Sequence, residues 1–253
     1  MSEIGSAGLP AGVTPWCRTL RGEQAWLLSV TGGAPALATW HVLRERHTET
    51  GLWPVILGPD PQVPDQLTWR LGFLAENAPG IPALDTVPPA ADLFVQWLGD
   101  IRQDDYLSDV PRHLAKLEAD EASIRDRLAT RPDDAAVRSV HGDRVQVALI
   151  PAAGGWEVPA LLAWAGAERR GHGGAEHLSV LKFWHDSYGA ELVGLGLESL
   201  ECLLETPPAD ARSAFELAVQ QYSYCPELMD NLAPAMGALA ATLLGRHWLF
   251  DWS

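Results

Sequence analysis

Hydrophobic and polar residues alternate most regularly in the C-terminal half of the chain. "RVQVALIPA" (144–152) has the two-residue period of a strand, and "AELVGLGL" and "LECLLET" predict two adjacent antiparallel strands. In "HWLFDWS", Trp248, Phe250 and Trp252 fall on one face of a further strand. Helices are predicted over "HLSVLKFWHDSYG", "ADARSAFELAVQQYSYC" and "APAMGALAATLLG", because their apolar residues recur every three or four positions.

The N-terminal half shows a shorter β-α-β pattern. "EQAWLLSV" (23–30) and "TGLWPVILG" (50–58) predict two strands, and the segment between them has apolar residues at helical spacing. A unit of this kind favours a parallel pair of strands joined by a right-handed crossover. Residues 59–90 are rich in proline and predict an irregular connection, whereas residues 91–130 return to a helical pattern.

The order of these elements predicts an α+β fold. From residue 144 onward the order is β-α-β-β-α-β with doubled helices, which matches a split β-α-β (ferredoxin-like) sandwich in the C-terminal half. The N-terminal β-α-β unit and the helical segment are expected to pack beside it. We therefore predict two domains, 1–140 and 141–253, with the boundary in "RPDDAAVRSVHGD".

The chain is strongly acidic: it has 33 Asp and Glu, 18 Lys and Arg, and a formal net charge of −15. Nucleic acids are disfavoured as partners because their binding depends on basic patches, whereas a basic protein would be attracted. The N-terminus lacks a secretory signal, and no apolar run is long enough to span a membrane. The sequence therefore predicts a cytoplasmic protein that binds a protein partner and neither nucleic acid nor membrane.

Cys225 has two interpretations. Pro226 suits the first turn of a helix, and a thiol at the N-terminus of a helix has a lowered pKa. Cys225 would then be a catalytic nucleophile, with His177 or His185 as its base. In the alternative, Cys225 is a buried plug, because it ends the apolar stripe of the preceding helix and because Glu227 disfavours a thiolate.

The loop "GHGGAEH" places His172 and His177 five residues apart, which makes them candidates for a metal or small-ligand sensor. This spacing matches no common zinc motif, and the three cysteines include no Cys-x-x-Cys pair. No phosphate-binding or dinucleotide-binding motif is present either. We therefore predict no metal site and no cofactor. The acidic pairs Asp104–Asp105 and Asp133–Asp134 are interpreted as solvated turns.

Eleven tryptophans are many for a chain of 253 residues. In one interpretation the large rings form the core, and Trp248, Phe250 and Trp252 face it together. In the other they form an exposed set that captures a partner, since Trp and Tyr dominate the hot spots of protein interfaces. The residues predicted to bind in that case are Trp156, Trp184, Tyr188, Trp248 and Trp252.

Five motifs occur in a fixed order along the chain: "TGLWPVILG", "ALIPAAGGWEVPALLAWAG", "LSVLKFWHDSYGAELVGLG", "YSYCPE" and "HWLFDWS". Together they resemble the bacterial family called domain of unknown function 4253. The resemblance is strongest over residues 145–253, with a weaker trace near residues 24–58. It implies a cytoplasmic bacterial protein. It transfers no catalytic residue, because the family has no settled activity.

The absence of an assembled catalytic motif, the acidity and the many tryptophans together predict a non-enzymatic interaction protein. Such a protein would bind and mask another protein, and a toxin-neutralising immunity protein is the most concrete version. One alternative is a small enzyme that uses Cys225 for acyl or thiol transfer. Another is a metal or small-ligand sensor built on His172 and His177.

Overall fold

The computed structural model describes residues 9–75, 81–101, 109–130, 136–233 and 235–253. Within these ranges the chain is a mixed α+β protein, as predicted, with seven strands in one sheet. The acidic pairs Asp104–Asp105 and Asp133–Asp134 lie outside the described residues. The strands are β1 (Thr14–Arg18), β2 (Gln24–Thr31), β3 (Leu52–Gly58), β4 (Arg144–Pro151), β5 (Ala190–Leu195), β6 (Ser199–Leu204) and β7 (His247–Asp251).

Across the sheet the strands run in the order β1-β2-β4-β3-β5-β6-β7. Among these strands β3 and β5 pair in parallel, and the other neighbours are antiparallel. Because β4 lies between β2 and β3, those two strands are parallel but not adjacent. The predicted parallel orientation is therefore confirmed, but a strand from much later in the chain separates the two strands. All seven residues of β3 are buried, which is typical of a central strand covered on both faces.

The ferredoxin-like arrangement predicted for the C-terminal half is not confirmed. The antiparallel pairing of β5 with β6 is confirmed, and β7 pairs antiparallel with β6 after a long helical connection. β4 is separated from them by β3, which comes from the N-terminal half. Strands from both sides of the predicted boundary thus share one sheet. The division into domains 1–140 and 141–253 stays a prediction about folding units.

Helices cover the sheet, and those predicted in the C-terminal half are confirmed. The helix Ala211–Tyr224 begins after Asp210, whose carboxylate accepts a hydrogen bond from the backbone N–H of Ser213 at 2.8 Å, as expected of an N-cap. The helices are α1 (Ala34–Glu45), α2 (His47–Thr50), α3 (Gln62–Ala75), α4 (Ala90–Asp100), α5 (Val110–Ala129), α6 (Val158–Leu161), α7 (Gly174–Tyr188), α8 (Ala211–Tyr224), α9 (Glu227–Asn231) and α10 (Met236–Leu243).

Helix α3 lies where the sequence predicted an irregular connection, and that prediction is wrong. Pro64 occupies the first turn of α3, where the missing N–H of a proline is tolerated. Before the helix, the carboxylate of Asp60 accepts a hydrogen bond from the backbone N–H of Gln62 at 2.8 Å. This bond satisfies one of the free N–H groups at the start of α3. Pro59 and Pro61 therefore precede α3 and Pro64 lies in its first turn, so none of these three interrupts the helix.

The alternation predicted for the last strand is confirmed. Trp248, Phe250 and Trp252 are at most 4% exposed, and their rings pack in the core. Leu249 and Asp251, which point to the other side of β7, are only partly buried. The period of two residues in "HWLFDWS" thus correctly predicts both the strand and the face on which its aromatic rings are buried.

Glu201 on β6 holds the segment before β4 against the sheet. Its carboxylate accepts hydrogen bonds from the backbone N–H groups of Arg138 (2.6 Å) and Ser139 (2.8 Å) and from Nε2 of His247 (2.9 Å). Burial alone would raise the pKa of Glu201, but these bonds lower it below its usual value, so the buried carboxylate stays charged. Gly194 on β5 makes the approach possible, since a Cβ there would lie 2.4 Å from Oγ of Ser139.

Candidate functional site

Three of the five aromatic residues predicted to bind a partner lie in the core. Trp184, Trp248 and Trp252 are at most 4% exposed. The ring of Trp184 stacks on that of Phe250 with centroids 5.2 Å apart, and Trp248 meets Trp184 edge-on at 5.6 Å. These rings hold α7 against β7. The core interpretation describes their position, and the interpretation as an exposed stripe needs correction.

Trp156 is only half-buried and lies in a small polar group beside α7. The ring of His185 is 4.4 Å from it, centroid to centroid, and the ammonium of Lys182 is 5.1 Å from its ring centre. Nδ1 of His185 is 3.2 Å from the carbonyl oxygen of Ala190. Tyr188, also half-buried, meets the ring of Trp248 edge-on. His185 is therefore engaged with its own surroundings, and no hydrogen bond between described residues joins it to Cys225.

His172 and His177 meet around Tyr224 in a buried cluster. Nδ1 of His177 is 2.5 Å from the hydroxyl oxygen of Tyr224, and Nε2 of His172 donates to the carbonyl oxygen of Tyr224 at 2.9 Å. Burial disfavours the charged imidazole, and His172 adds to this effect, so the pKa of His177 falls to about 3. Burial also lowers the pKa of His172. Both rings are thus neutral near pH 7.

Cys225 is fully buried at the junction of α8 and α9. Its Sγ is 3.6 Å from the carbonyl oxygen of Asp251 and 3.9 Å from Oε2 of Glu227. Burial raises the pKa of the thiol well above its usual value, and the nearby Glu227 raises it further. Helix α9 follows Pro226 as the sequence predicts, but five residues of helix do not overcome this environment. The surroundings favour the neutral thiol of a plug and disfavour the thiolate that a nucleophile needs.

We expect Cys225 to resist alkylation in the folded protein between pH 6 and pH 9, because the thiol is both inaccessible and protonated. The rate of iodoacetamide labelling should rise only as urea unfolds the chain, and mass mapping of peptides would separate Cys225 from Cys17 and Cys202. Those two cysteines are also buried and serve as internal comparisons. Labelling of native Cys225 that is much faster than that of Cys17 and Cys202 would contradict the plug and favour the nucleophile.

Neither a metal-ligand cluster nor a membrane-spanning helix occurs among the residues that the structure describes. Among them, no three His, Cys, Asp or Glu side chains lie close enough together to hold a metal ion. No described helix is both long enough and apolar enough to cross a membrane.

Among the residues that the structure describes, the most exposed aromatic side chains lie on α3, where the sequence predicts no regular element. Trp69 is 71% exposed and Phe73 is 65% exposed, and their rings stack with centroids 5.9 Å apart. Asp65, also exposed, lies one turn before Trp69 on the same side of α3. We call Asp65, Trp69 and Phe73 the α3 surface. The spacing of four residues between these side chains was the available signal, and the neighbouring prolines obscured it.

The fold and these sites can be compared with known proteins. Residues 146–253 match the family model described as "Domain of unknown function (DUF4253)". The match covers the C-terminal part of the chain. The resemblance predicted from the five motifs is therefore confirmed for residues 146–253. No curated protein and no solved structure matches the chain.

The part that matches the DUF4253 model contains the buried rings of α7 and β7, the two core histidines and Cys225, whereas the buried rings of Trp40, Trp53, Phe94 and Trp97 lie outside it. It also contains four of the seven strands, although β4 begins just before the matched residues. The α3 surface lies outside it, in the N-terminal part of the chain. The matched residues thus supply packing to the core, and the exposed aromatic pair lies outside the match.

Proposed function

We propose that this chain is a non-enzymatic acidic interaction protein that binds and masks a basic protein, and that the α3 surface is its contact. The observation that supports this proposal is the stacked pair of Trp69 and Phe73, which remain 71% and 65% exposed. Removing such rings from water on binding is favourable by roughly 25 cal/mol for each Å² of apolar surface. Large aromatic residues that are preorganised in this way are typical interface anchors.

The chemistry of the α3 surface fits a cationic group. Asp65 offers a carboxylate one turn from the indole of Trp69, so a Lys or Arg of the partner can pair with the one and lie over the face of the other. The net charge of −15 would also accelerate the encounter with a basic protein at low salt. In the most concrete version the partner is a toxin with a basic active site, and this chain is its immunity protein.

Replacing Trp69 and Phe73 together with serine is expected to weaken binding of the partner by roughly 30-fold or more, since the loss of even one hot-spot residue costs about 2 kcal/mol or more. The fold should survive because both rings are exposed. The matched control replaces Val42 and Val95 with serine; these residues are 57% and 71% exposed on α1 and α4. The measurement compares capture by the immobilised wild type and both double variants from a lysate at low salt.

Two outcomes would overturn this proposal. A partner that is captured equally by the wild type and both variants would show that the α3 surface is not the contact. If no basic protein is captured at low salt, where electrostatic attraction is strongest, the proposal of a basic partner is wrong. Masking itself is tested by adding the purified protein to the identified partner, whose own activity should stop.

A further inference from the structure

A cleft of about 470 Å³ lies between α5, α10 and β7. This volume is in the range of small-molecule binding sites. The cleft is lined by six leucines and by four basic residues, which are Arg125, Arg138, Arg246 and His247. Among the described residues that line the cleft, none is Asp or Glu. The cleft thus combines apolar and cationic walls in a chain whose net charge is −15.

Arg246 is the cation whose charge is least compensated. Its guanidinium donates to the carbonyl oxygens of Leu204 (3.2 Å) and Glu205 (3.0 Å), and none of the described carboxylates forms an ion pair with it. Arg138, in contrast, pairs with Asp251 at 3.2 Å. A guanidinium has five N–H donors in a planar fork that matches a carboxylate. Arg246 therefore retains both charge and donors for an anion in the cleft.

Two buried side chains in the wall of the cleft have donors without partners. Gln221 on α8 and Trp248 on β7 are each 1% exposed. Nε2 of Gln221 and Nε1 of Trp248 form no hydrogen bond with described residues. A buried donor without a partner is unfavourable, because it has lost its hydrogen bonds to water. The amide of Gln221 thus has a free donor for an acceptor bound in the cleft that this residue lines.

We propose that this cleft binds a small amphipathic carboxylate, with its anionic head at Arg246 and its apolar tail along Leu128, Leu239 and Leu249. The head satisfies the fork of Arg246 and the free donor of Gln221, and the tail removes leucine surface from water. This inference goes beyond the proposed function and is independent of it. Helix α3 contacts β1 and β3, whereas β7 forms the opposite edge of the sheet.

The test uses octanoate as the probe and the full chain as the protein. Octanoate is expected to raise the Tm in a saturable way, and calorimetry should give one site per chain. Acetate, which lacks the tail, and octylamine, which has the opposite charge, should have little effect at equal concentration. If acetate stabilises the protein equally, the apolar tail does not contribute and any anion suffices. If octylamine does so, the anionic head does not contribute and the cleft binds only the apolar chain. Either result overturns the proposal.

Two variants locate the binding. Arg246→Gln removes the cation and is expected to weaken octanoate binding at least about tenfold, since a hydrogen bond to a charged group contributes about 1.5–3 kcal/mol. Leu232→Glu places a negative charge at the exposed rim and should exclude octanoate without disturbing the core. The control is Arg112→Gln, because Arg112 is exposed on α5 and does not line the cleft. If octanoate binds equally well to Arg246→Gln and Leu232→Glu, it lies outside the cleft and the proposal is overturned.

Discussion

Replacing Glu201 with alanine is expected to lower the free energy of unfolding by about 3–5 kcal/mol, the usual effect of removing one partner from a buried charged network. The carboxylate receives hydrogen bonds from two backbone N–H groups and from His247. Without it, the N–H groups of Arg138 and Ser139 would be left without an acceptor beside the sheet. The segment before β4 should then detach and allow water to reach β6.

Urea denaturation at pH 7 measures this effect. The matched control is Glu191→Ala, because Glu191 is a glutamate on the neighbouring strand whose ion pair with Arg44 is partly exposed. Breaking that pair should lower the free energy of unfolding by about 1 kcal/mol or less. Glu201→Gln, which keeps one acceptor oxygen, should fall between the two. Equal losses in the Glu201 and Glu191 variants would show that the carboxylate of Glu201 is not an anchor.

Acid is expected to destabilise the protein through its two core histidines. The pKa of His177 is about 3 in the folded chain, against about 6.5 in an unfolded chain. The unfolded state therefore takes up the proton first as the pH falls. Stability should be complete above pH 7 and decline below pH 6.5, with His177 alone contributing a loss of about 2 kcal/mol by pH 5. His172, whose pKa is also lowered by burial, adds to the same trend.

The comparison of His177→Gln with the wild type isolates this contribution. Glutamine can keep a hydrogen bond to the hydroxyl of Tyr224 but cannot take up a proton. The free energy of unfolding between pH 7 and pH 5 should therefore fall less steeply in the variant, by about 1 kcal/mol per pH unit near pH 5. His41→Gln is the control, because His41 is exposed, and its profile should follow the wild type. Parallel profiles for the wild type and His177→Gln would exclude His177 as the titrating group.

The elements that the sequence predicts correctly are those whose pattern is local. The alternation in "HWLFDWS" places Trp248, Phe250 and Trp252 on one buried face, and the stripe that ends at Cys225 predicts its burial. β5 and β6 are adjacent in the chain, so their hairpin pairing follows from a short connection. In each case a few neighbouring residues contain the whole signal.

Non-local order is what the sequence does not reveal. The insertion of β4 between β2 and β3 depends on pairing across a long stretch of chain, and the apolar pattern of β4 is equally compatible with other neighbours. The apolar pattern of a strand shows which of its residues are buried, but it does not show which strand is its neighbour. The ferredoxin-like interpretation failed for this reason, since it assumed that strands of one half pair with each other.

The candidate site shows a related limit. Composition counts tryptophans but does not separate buried rings from exposed ones, so Trp184 and Trp248 were placed among the predicted binding residues although they lie in the core. Trp69 and Phe73 were overlooked because Pro64 suggested a break, whereas a proline in the first turn is compatible with a helix. The cleft beside Arg246 is formed by residues from α5, α8, α10 and β7, so no single sequence motif predicts it.

The place of β3 between β4 and β5 determines how this chain can be cut. A fragment with the limits of the DUF4253 match, 146–253, would lack the strand that fills the middle of its own sheet. Its β4 and β5 would present unpaired backbone groups, and such edges promote aggregation. A peptide containing β3 would complement that fragment in the manner of a donated strand. We therefore expect the smallest fragment of this chain that is soluble by itself to be longer than residues 146–253.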